Sequence, residues 1–445
     1  MSILWHANEL PLAVGAAGPG FAASGVSIDT RSLQPGDLFV ALQADRDGHD
    51  FIPAAFAKGA AGALVSRDVD TAPVLRVDDT LAALHRLGAA ARARTGAKII
   101  AVTGSVGKTT TKEMLRRALS AFGTVHAADA SFNNHIGVPL TLARMPAVAD
   151  FAVLEIGMNH PGEIFPLTQL ARPHVALITN IGRAHIGLMG SEAAIAAEKA
   201  EIFAGLAPGG VAVLPAETPH GAILRDKIPN GARMMTFGAA ALLASTNSAA
   251  DANITANIAG VTVKFRLAAP GHHMAMNALA VLTACAALGL DVTQAAAALD
   301  GFAPVAGRGA RRAFALRGGT ATLLDESYNA SAASIRAALS VLALQPGRRV
   351  AVLGDMLELG DDAESEHVLL RDDVAAAADI VFCAGPMMGA LFNALPDSRR
   401  GAWATDAATL APSVKDALHP GDTVLVKGSY GSRMRDVVAH LEGAA

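Results

Sequence analysis

The segment Thr103-Gly104-Ser105-Val106-Gly107-Lys108-Thr109-Thr110 constrains the fold more than any other stretch of this 445-residue chain. It follows the apolar run Ile99-Ile100-Ala101-Val102 and precedes a helical pattern from Thr109 onward. A strand, a glycine turn and a helix in that order make an anion cradle. Backbone amides curl round phosphates, and the helix N-terminus favours negative charge. Lys108 is then placed to neutralise the β- and γ-phosphates of a nucleotide, with the Thr109 hydroxyl reaching magnesium. Gly104, Ser105, Val106, Gly107 and Thr110 complete the expected cofactor turn. The spacing departs from the general P-loop pattern, because the position of its first glycine holds Val102. The competing reading is a glycine bend followed by a surface lysine.

The surrounding pattern predicts an α/β fold. Phe151–Ile156, Val175–Thr179 and Val211–Leu214 are short apolar runs of the kind found in parallel strands buried on both faces. Their alternation with helical stretches predicts a doubly wound sheet with ligands at the carboxyl ends of its strands. Upstream, Asp37–Leu42 reads as a strand after the Pro35-Gly36 turn, Phe51–Gly59 as a helix, Ala63–Val65 as a strand and Thr80–Thr95 as a helix. Downstream, Val261–Leu267 alternates like a half-exposed strand and Ala275–Leu290 reads as a buried helix. Further strands are expected at Ala321–Leu324, Arg349–Leu353, Ile380–Cys383 and Thr423–Val426. The length suits about three domains of ~100–200 residues each. The expected units are residues 1–94, 95–307 and 308–445.

Composition narrows the function class. Hydrophobic residues make up 52% and charged residues 17%, which permits large buried cores. The net charge of −4 and the lack of a basic tract disfavour nucleic acid as partner. Cys285 and Cys383 are the only cysteines and are far apart, which fits neither a metal-spaced cluster nor a secreted disulfide scaffold. The N-terminal Met1-Ser2-Ile3-Leu4-Trp5-His6 lacks the charged start and long apolar run of a signal peptide. Ala275–Leu290, the longest apolar stretch, is short for a membrane span. A cytoplasmic, monomeric chain is expected.

Taken singly, the remaining polar candidates are ambiguous. Glu155 ends an apolar strand, where a carboxylate holds a metal, polarises a nucleophile or is simply solvated. His185 follows a strand in a loop, where most histidines are exposed. Lys199, on a predicted helix Ile195–Phe203 between Glu198 and Glu201, reads by default as a surface lysine.

Several ordered motifs resolve these ambiguities together. Thr103–Thr111, Phe132–Pro139, Leu154–Ile164, Thr179-Asn180 with Ala184-His185, and Glu198–Phe203 resemble the Mur ligases. Asp325–Ala330, Leu353–Gly360 and Lys427-Gly428-Ser429 are similar to the D-alanyl-D-alanine-adding members of that family. Ser27–Arg31, Pro35–Leu42 and Asp47–Phe51 match as well, so the resemblance spans nearly the whole chain.

The resemblance implies a three-domain architecture, with a central P-loop ATPase-like sheet and a Rossmann-like C-terminal domain. It implies an ATP- and Mg2+-dependent ligase joining D-alanyl-D-alanine to UDP-N-acetylmuramoyl-tripeptide through an acyl phosphate. In that reading the first unit holds the UDP end of the substrate, with Ser27, Asp29, Thr30, Arg31 and His49 as contacts. Asn133 and Asn134 line the phosphate and muramoyl-peptide region. Lys108, Glu155, His185, Lys199 and Arg308 are the catalytic set. Thr109, Glu155, His185 and Lys199, the last carbamylated, form the metal site. Asn277 contacts adenine, Arg308 the nucleotide phosphates, and Glu326 or Asp325 the ribose. Tyr328, Asn329 and Lys427 are further substrate contacts. Two positions depart from the family pattern: His273 is followed by Met274 instead of asparagine, and the paired aspartates read Asp325-Glu326.

Within ligases, the rival is a diamino-acid-adding sister or a folate polyglutamate ligase. The Asp-Asn-Pro-Arg stretch of the former is absent, and the latter lacks a UDP-binding first domain. A nucleotide-dependent switch protein is the rival outside enzymes. It would bind ATP without releasing phosphate in step with a peptide product.

Overall fold

The structure, a computed structural model, describes residues 2–70 and 73–443. Met1, at the head of the N-terminal segment considered above, lies outside them. Three main sheets follow one another along the chain. The first has four parallel strands in sequential order, Gly25–Ser27, Asp37–Val40, Gly62–Val65 and Val74–Arg76. The helix Thr80–Arg94 packs beside it, its first turn capped by the Asp79 carboxylate, which accepts from the Leu81 and Ala82 amides. The expected helix at Phe51–Gly59 is split into a 3-10 turn, Gly48–Phe51, and a short helix, Ile52–Ala57.

The central sheet has six parallel strands. Their order is Arg233–Phe237, Val211–Pro215, Val175–Ile178, Lys98–Thr103, Phe151–Glu155 and Val125–Ala127. Lys98–Thr103 lies between the strands Phe151–Glu155 and Val175–Ile178. The chain passes from it to Val125–Ala127 and Phe151–Glu155 on one side and then crosses to Val175–Ile178 on the other, and a crevice opens at the carboxyl ends of these strands. Strand residues here are almost wholly buried, as their apolar runs predict. A three-stranded antiparallel ribbon, Leu242–Asn247, Ala252–Ile258 and Val261–Leu267, extends this region. The last strand buries alternate residues, Val263, Phe265 and Leu267. The helix His272–Ala287 carries Asn277 back to the glycine turn.

The third sheet is mixed. Its order is Ala310–Leu316, Gly319–Glu326, Thr423–Lys427, Arg349–Gly354, Ile380–Ala384 and Arg400–Ala404, all parallel except the first strand. Its carboxyl ends face the central crevice through Glu326 and Lys427. Among the described residues no helix is long and apolar enough to cross a membrane.

Candidate active site

The glycine turn owes its shape to two positions without a Cβ. Gly104 has φ +148° and Gly107 φ +83°, and a Cβ on them would lie 1.9 Å from Thr179 Oγ1 and 2.8 Å from Asn277 Oδ1. A second loop locks the turn. Asn180 Oδ1 accepts from the Val106 amide at 3.0 Å, Thr179 donates to the Val106 carbonyl at 2.6 Å, and Ser105 exchanges hydrogen bonds with Gly182. The helix Lys108–Leu119 then starts at the turn with no side-chain cap, so its first amides remain available to an anion.

A cavity of about 550 Å³ opens over this turn. The central unit contributes Ser105–Lys108, Thr110, Asn133, Glu155, His185 and Asn277, and the third unit contributes Arg308, Glu326, Tyr328, Asn329 and Lys427. Glu155 is buried, and both its oxygens are occupied. Oε2 accepts from the Thr109 hydroxyl at 2.7 Å and Oε1 from the Asn133 amide at 2.9 Å. Lys108 donates to the Gly104 carbonyl at 2.7 Å. Burial lowers its pKa and the Arg308 charge adds to that, against the pull of Glu155.

Lys199 is 1% exposed. It lies just outside the cavity wall and makes no hydrogen bond or ion pair among the described residues. Neither neighbouring glutamate serves it. Glu198 accepts from the Gly162 and Ile164 amides, and Glu201 pairs with Lys227. Burial first, and the Lys108 charge second, push the Lys199 amine well below the usual lysine range. The helix carrying it is Glu192–Ala200, ending in a 3-10 turn.

His185 adopts a left-handed backbone (φ +64°), and its Nδ1 lies against the Glu358 carboxylate from the third unit. That contact holds the Glu358 carboxyl below the usual range. Arg308 stacks over Tyr328, 4.0 Å from the ring centroid, and donates to Ser131 Oγ at 2.8 Å. Lys427, 2% exposed, reaches Glu326 at 3.3 Å and the Asn329 carbonyl at 3.0 Å. Of the two ribose candidates, Glu326 lines the cavity, whereas Asp325 is engaged by Gly307 N–H, Ser327 and Arg312. Asn134 also serves the fold, accepting from the Ile136 and Gly137 amides at the head of the helix Gly137–Ala143.

The first-unit candidates lie away from this cavity. Ser27 is buried and donates to the Asp29 carbonyl, while Asp29 pairs with an exposed Arg31 at 2.6 Å. The Thr30 carbonyl accepts from Lys58. His49 is buried with both ring nitrogens in use, Nδ1 against Asp47 and Nε2 accepting from Ser66 N–H. That arrangement positions the 3-10 turn and leaves no ring nitrogen for a ligand.

The oxygen donors fit a hard cation. Thr109 and Glu155 are adjacent, and magnesium takes few protein ligands when substrate phosphates supply the rest. Among the described residues no cluster of three or more His, Cys, Asp or Glu is arranged to hold a metal. Ser131, which also lines the cavity, was not picked out from sequence. Asn180 sits in the Thr179-Asn180 motif, which signals its place but not its bond to the turn.

Known proteins share this sequence pattern and this fold. The sequence matches the Mur ligase middle domain over residues 102–285, the Mur ligase glutamate ligase domain over 311–430 and the Mur ligase family catalytic domain over 22–116. It is 37% identical over 438 residues to the UDP-N-acetylmuramoyl-tripeptide–D-alanyl-D-alanine ligase of Escherichia coli, covering 96% of this chain and 95% of that one. The chain belongs to the Mur ligase family. MurF from Acinetobacter baumannii superposes with a TM-score of 0.87 at 31% identity, covering 99% of each chain. MurF from Thermotoga maritima in complex with ADP superposes with a TM-score of 0.80 at 26% identity, covering 94% of this chain and 97% of that one. The three-domain Mur ligase architecture is thus that of this chain, with its P-loop sheet in the centre and a Rossmann-like sheet after it.

Proposed function

We propose that this Mur ligase joins D-alanyl-D-alanine to UDP-N-acetylmuramoyl-tripeptide in the cytoplasm, with ATP driving the reaction and Mg2+ bound beside Thr109 and Glu155. The observation that carries the reading is one cavity lined both by the P-loop and by Arg308, Glu326 and Lys427 of the third sheet. Residues 1–94, 95–307 and 308–445 act as the UDP-binding, ATP-binding and closing units.

A carboxylate is a poor electrophile because its charge repels an amine. Attack of the tripeptide carboxylate on the γ-phosphorus of ATP forms a C–O–P link and releases ADP. The dipeptide amine then attacks the acyl carbon, the amide forms, and inorganic phosphate leaves. Phosphoryl transfer asks mainly for alignment and charge neutralisation. Lys108 and Arg308 supply positive charge from opposite walls. The backbone amides of the glycine turn orient the phosphates. Bound magnesium would add charge neutralisation at the phosphate oxygens, held by Thr109, Glu155, His185 and a carbamylated Lys199. Asn277, whose carboxamide has no hydrogen-bond partner among the described residues, faces the base, and Glu326 the ribose. Asn133, Tyr328, Asn329 and Lys427 bound the space for the peptide substrates. Contact between the second and third units keeps water from the acyl phosphate.

The test is a product assay. With ATP, magnesium, D-alanyl-D-alanine and UDP-muramoyl-tripeptide, the protein is expected to form the nucleotide pentapeptide, seen by mass, with one phosphate released per product. Phosphate release without pentapeptide would overturn the reading.

A further inference from the structure

Thr109 has one hydroxyl proton, and Glu155 receives it across 2.7 Å. The other polar neighbour of Thr109 Oγ1 is Ser131 Oγ at 3.1 Å. A carboxylate only accepts, so the proton shared between the two hydroxyls belongs to Ser131. Ser131 Oγ in turn accepts from the Arg308 guanidinium at 2.8 Å. All three bonds therefore point one way, from Arg308 through Ser131 and Thr109 to Glu155. The series begins at a cation and ends at a carboxylate, and bonds aligned head to tail polarise one another.

Both ends of the Ser131 link are built. Arg308 is steered by the Tyr328 ring beneath its guanidinium. Ser131 lies in a stretch with no helix or strand, held from below by Lys112. That lysine is fully buried one turn along the P-loop helix. It donates to the Ala128 and Ala130 carbonyls and pairs with Glu113 at 3.1 Å. A buried lysine would otherwise cost stability, so its use as a clamp fixes the loop that presents Ser131.

We propose that Ser131 is a positioning residue that couples arrival of the third unit, through Arg308, to alignment of the Thr109–Glu155 pair in the P-loop. It touches no reacting atom. Its hydroxyl sets the direction of the guanidinium and, at the same time, the lone pair that Thr109 leaves free. The proposal rests on the ligase reading for its effect on turnover, but the coupling itself is a property of nucleotide binding.

The experiment compares Ser131→Ala, Ser131→Thr, Arg308→Ala and the Ser131→Ala/Arg308→Ala double variant in the full chain. Turnover, KM for ATP and melting temperature are measured, with calorimetric affinity for a non-hydrolysable ATP analogue and magnesium. Ser131→Ala is expected to lower kcat about tenfold with KM for ATP changed less than about twofold, and Ser131→Thr to recover most of the loss. In the Arg308→Ala background, removing Ser131 is expected to cost less than about twofold, because the pair acts as a unit. The same non-additivity is expected in analogue affinity, which reads the coupling even if no pentapeptide forms. Additive losses in both quantities would overturn the proposal, as would a threonine variant no better than alanine or an unchanged kcat in Ser131→Ala.

Discussion

Thr109 donates its hydroxyl to Glu155 at 2.7 Å, which ties the first turn of the P-loop helix to the carboxyl end of the neighbouring strand. Glu155 ends a strand paired beside Lys98–Thr103, and Thr109 opens the helix reached from that strand through the glycine turn, so the bond closes the turn onto the neighbouring strand. Glu155→Gln keeps the volume and one acceptor oxygen while removing the charge. Turnover is expected to fall about 10²-fold or more, in line with loss of an electrostatic stabiliser. The melting temperature should stay close to that of the unmodified protein. A magnesium titration of turnover separates the two roles. A midpoint shifted to higher magnesium places Glu155 at the metal, whereas an unchanged midpoint would argue against that role.

Lys199 is expected to act as a carbamate. Its amine is buried, unpartnered and shifted toward the neutral form that reacts with carbon dioxide. The neutral nitrogen adds to carbon dioxide and releases a proton, and the carbamate anion that forms has oxygens suited to a hard metal. Lys199→Ala should be almost inactive and should regain activity with added short carboxylic acids. The unmodified protein should show a carbamate signal in NMR with labelled bicarbonate. Full activity in buffer free of carbon dioxide, with no such signal, contradicts the assignment.

The glycine turn and the central parallel strands were legible because each rests on local pattern, an apolar run ending in a turn, whereas Glu155 stood out only through family resemblance. Lys199 was legible only through family resemblance, since nothing in Glu198-Lys199-Ala200-Glu201 shows that both glutamates are engaged elsewhere. Ser131 was not legible at all. It lies in an aperiodic loop, and its partners are 22 and 177 residues away. The strands Arg233–Phe237, Leu242–Asn247, Ala310–Leu316 and Arg400–Ala404 escape a pattern reading because they are largely exposed and mix charged or small residues with apolar ones. For His49, family resemblance implied a ligand contact, and in the structure Asp47 and Ser66 engage both its ring nitrogens.

Acid stability carries a signature of the central sheet. His174 Nδ1 accepts from the Ile99 amide at 2.9 Å, which requires a neutral ring. Burial, with the Lys98 and Arg92 charges, lowers its pKa to about 4, against ~6.5 in the unfolded chain. Between these values the unfolded chain binds a proton that the native chain does not, so stability is lost as pH falls through that window. Melting temperature should therefore drop between about pH 6.5 and 4. In His174→Asn, whose side-chain oxygen can accept the same amide, that drop should be smaller. An identical slope in both proteins would remove His174 from the account.

In the proposed reaction the cavity activates a peptide carboxylate by transferring the γ-phosphoryl group of ATP to it. The most direct measurement uses UDP-muramoyl-tripeptide carrying a heavy-oxygen label in its terminal carboxylate, with ATP, magnesium and D-alanyl-D-alanine. Pentapeptide that has lost one labelled oxygen and inorganic phosphate that has gained it are expected, with ADP as the nucleotide product. Unlabelled phosphate alongside pentapeptide, or AMP and pyrophosphate in place of ADP, would contradict it.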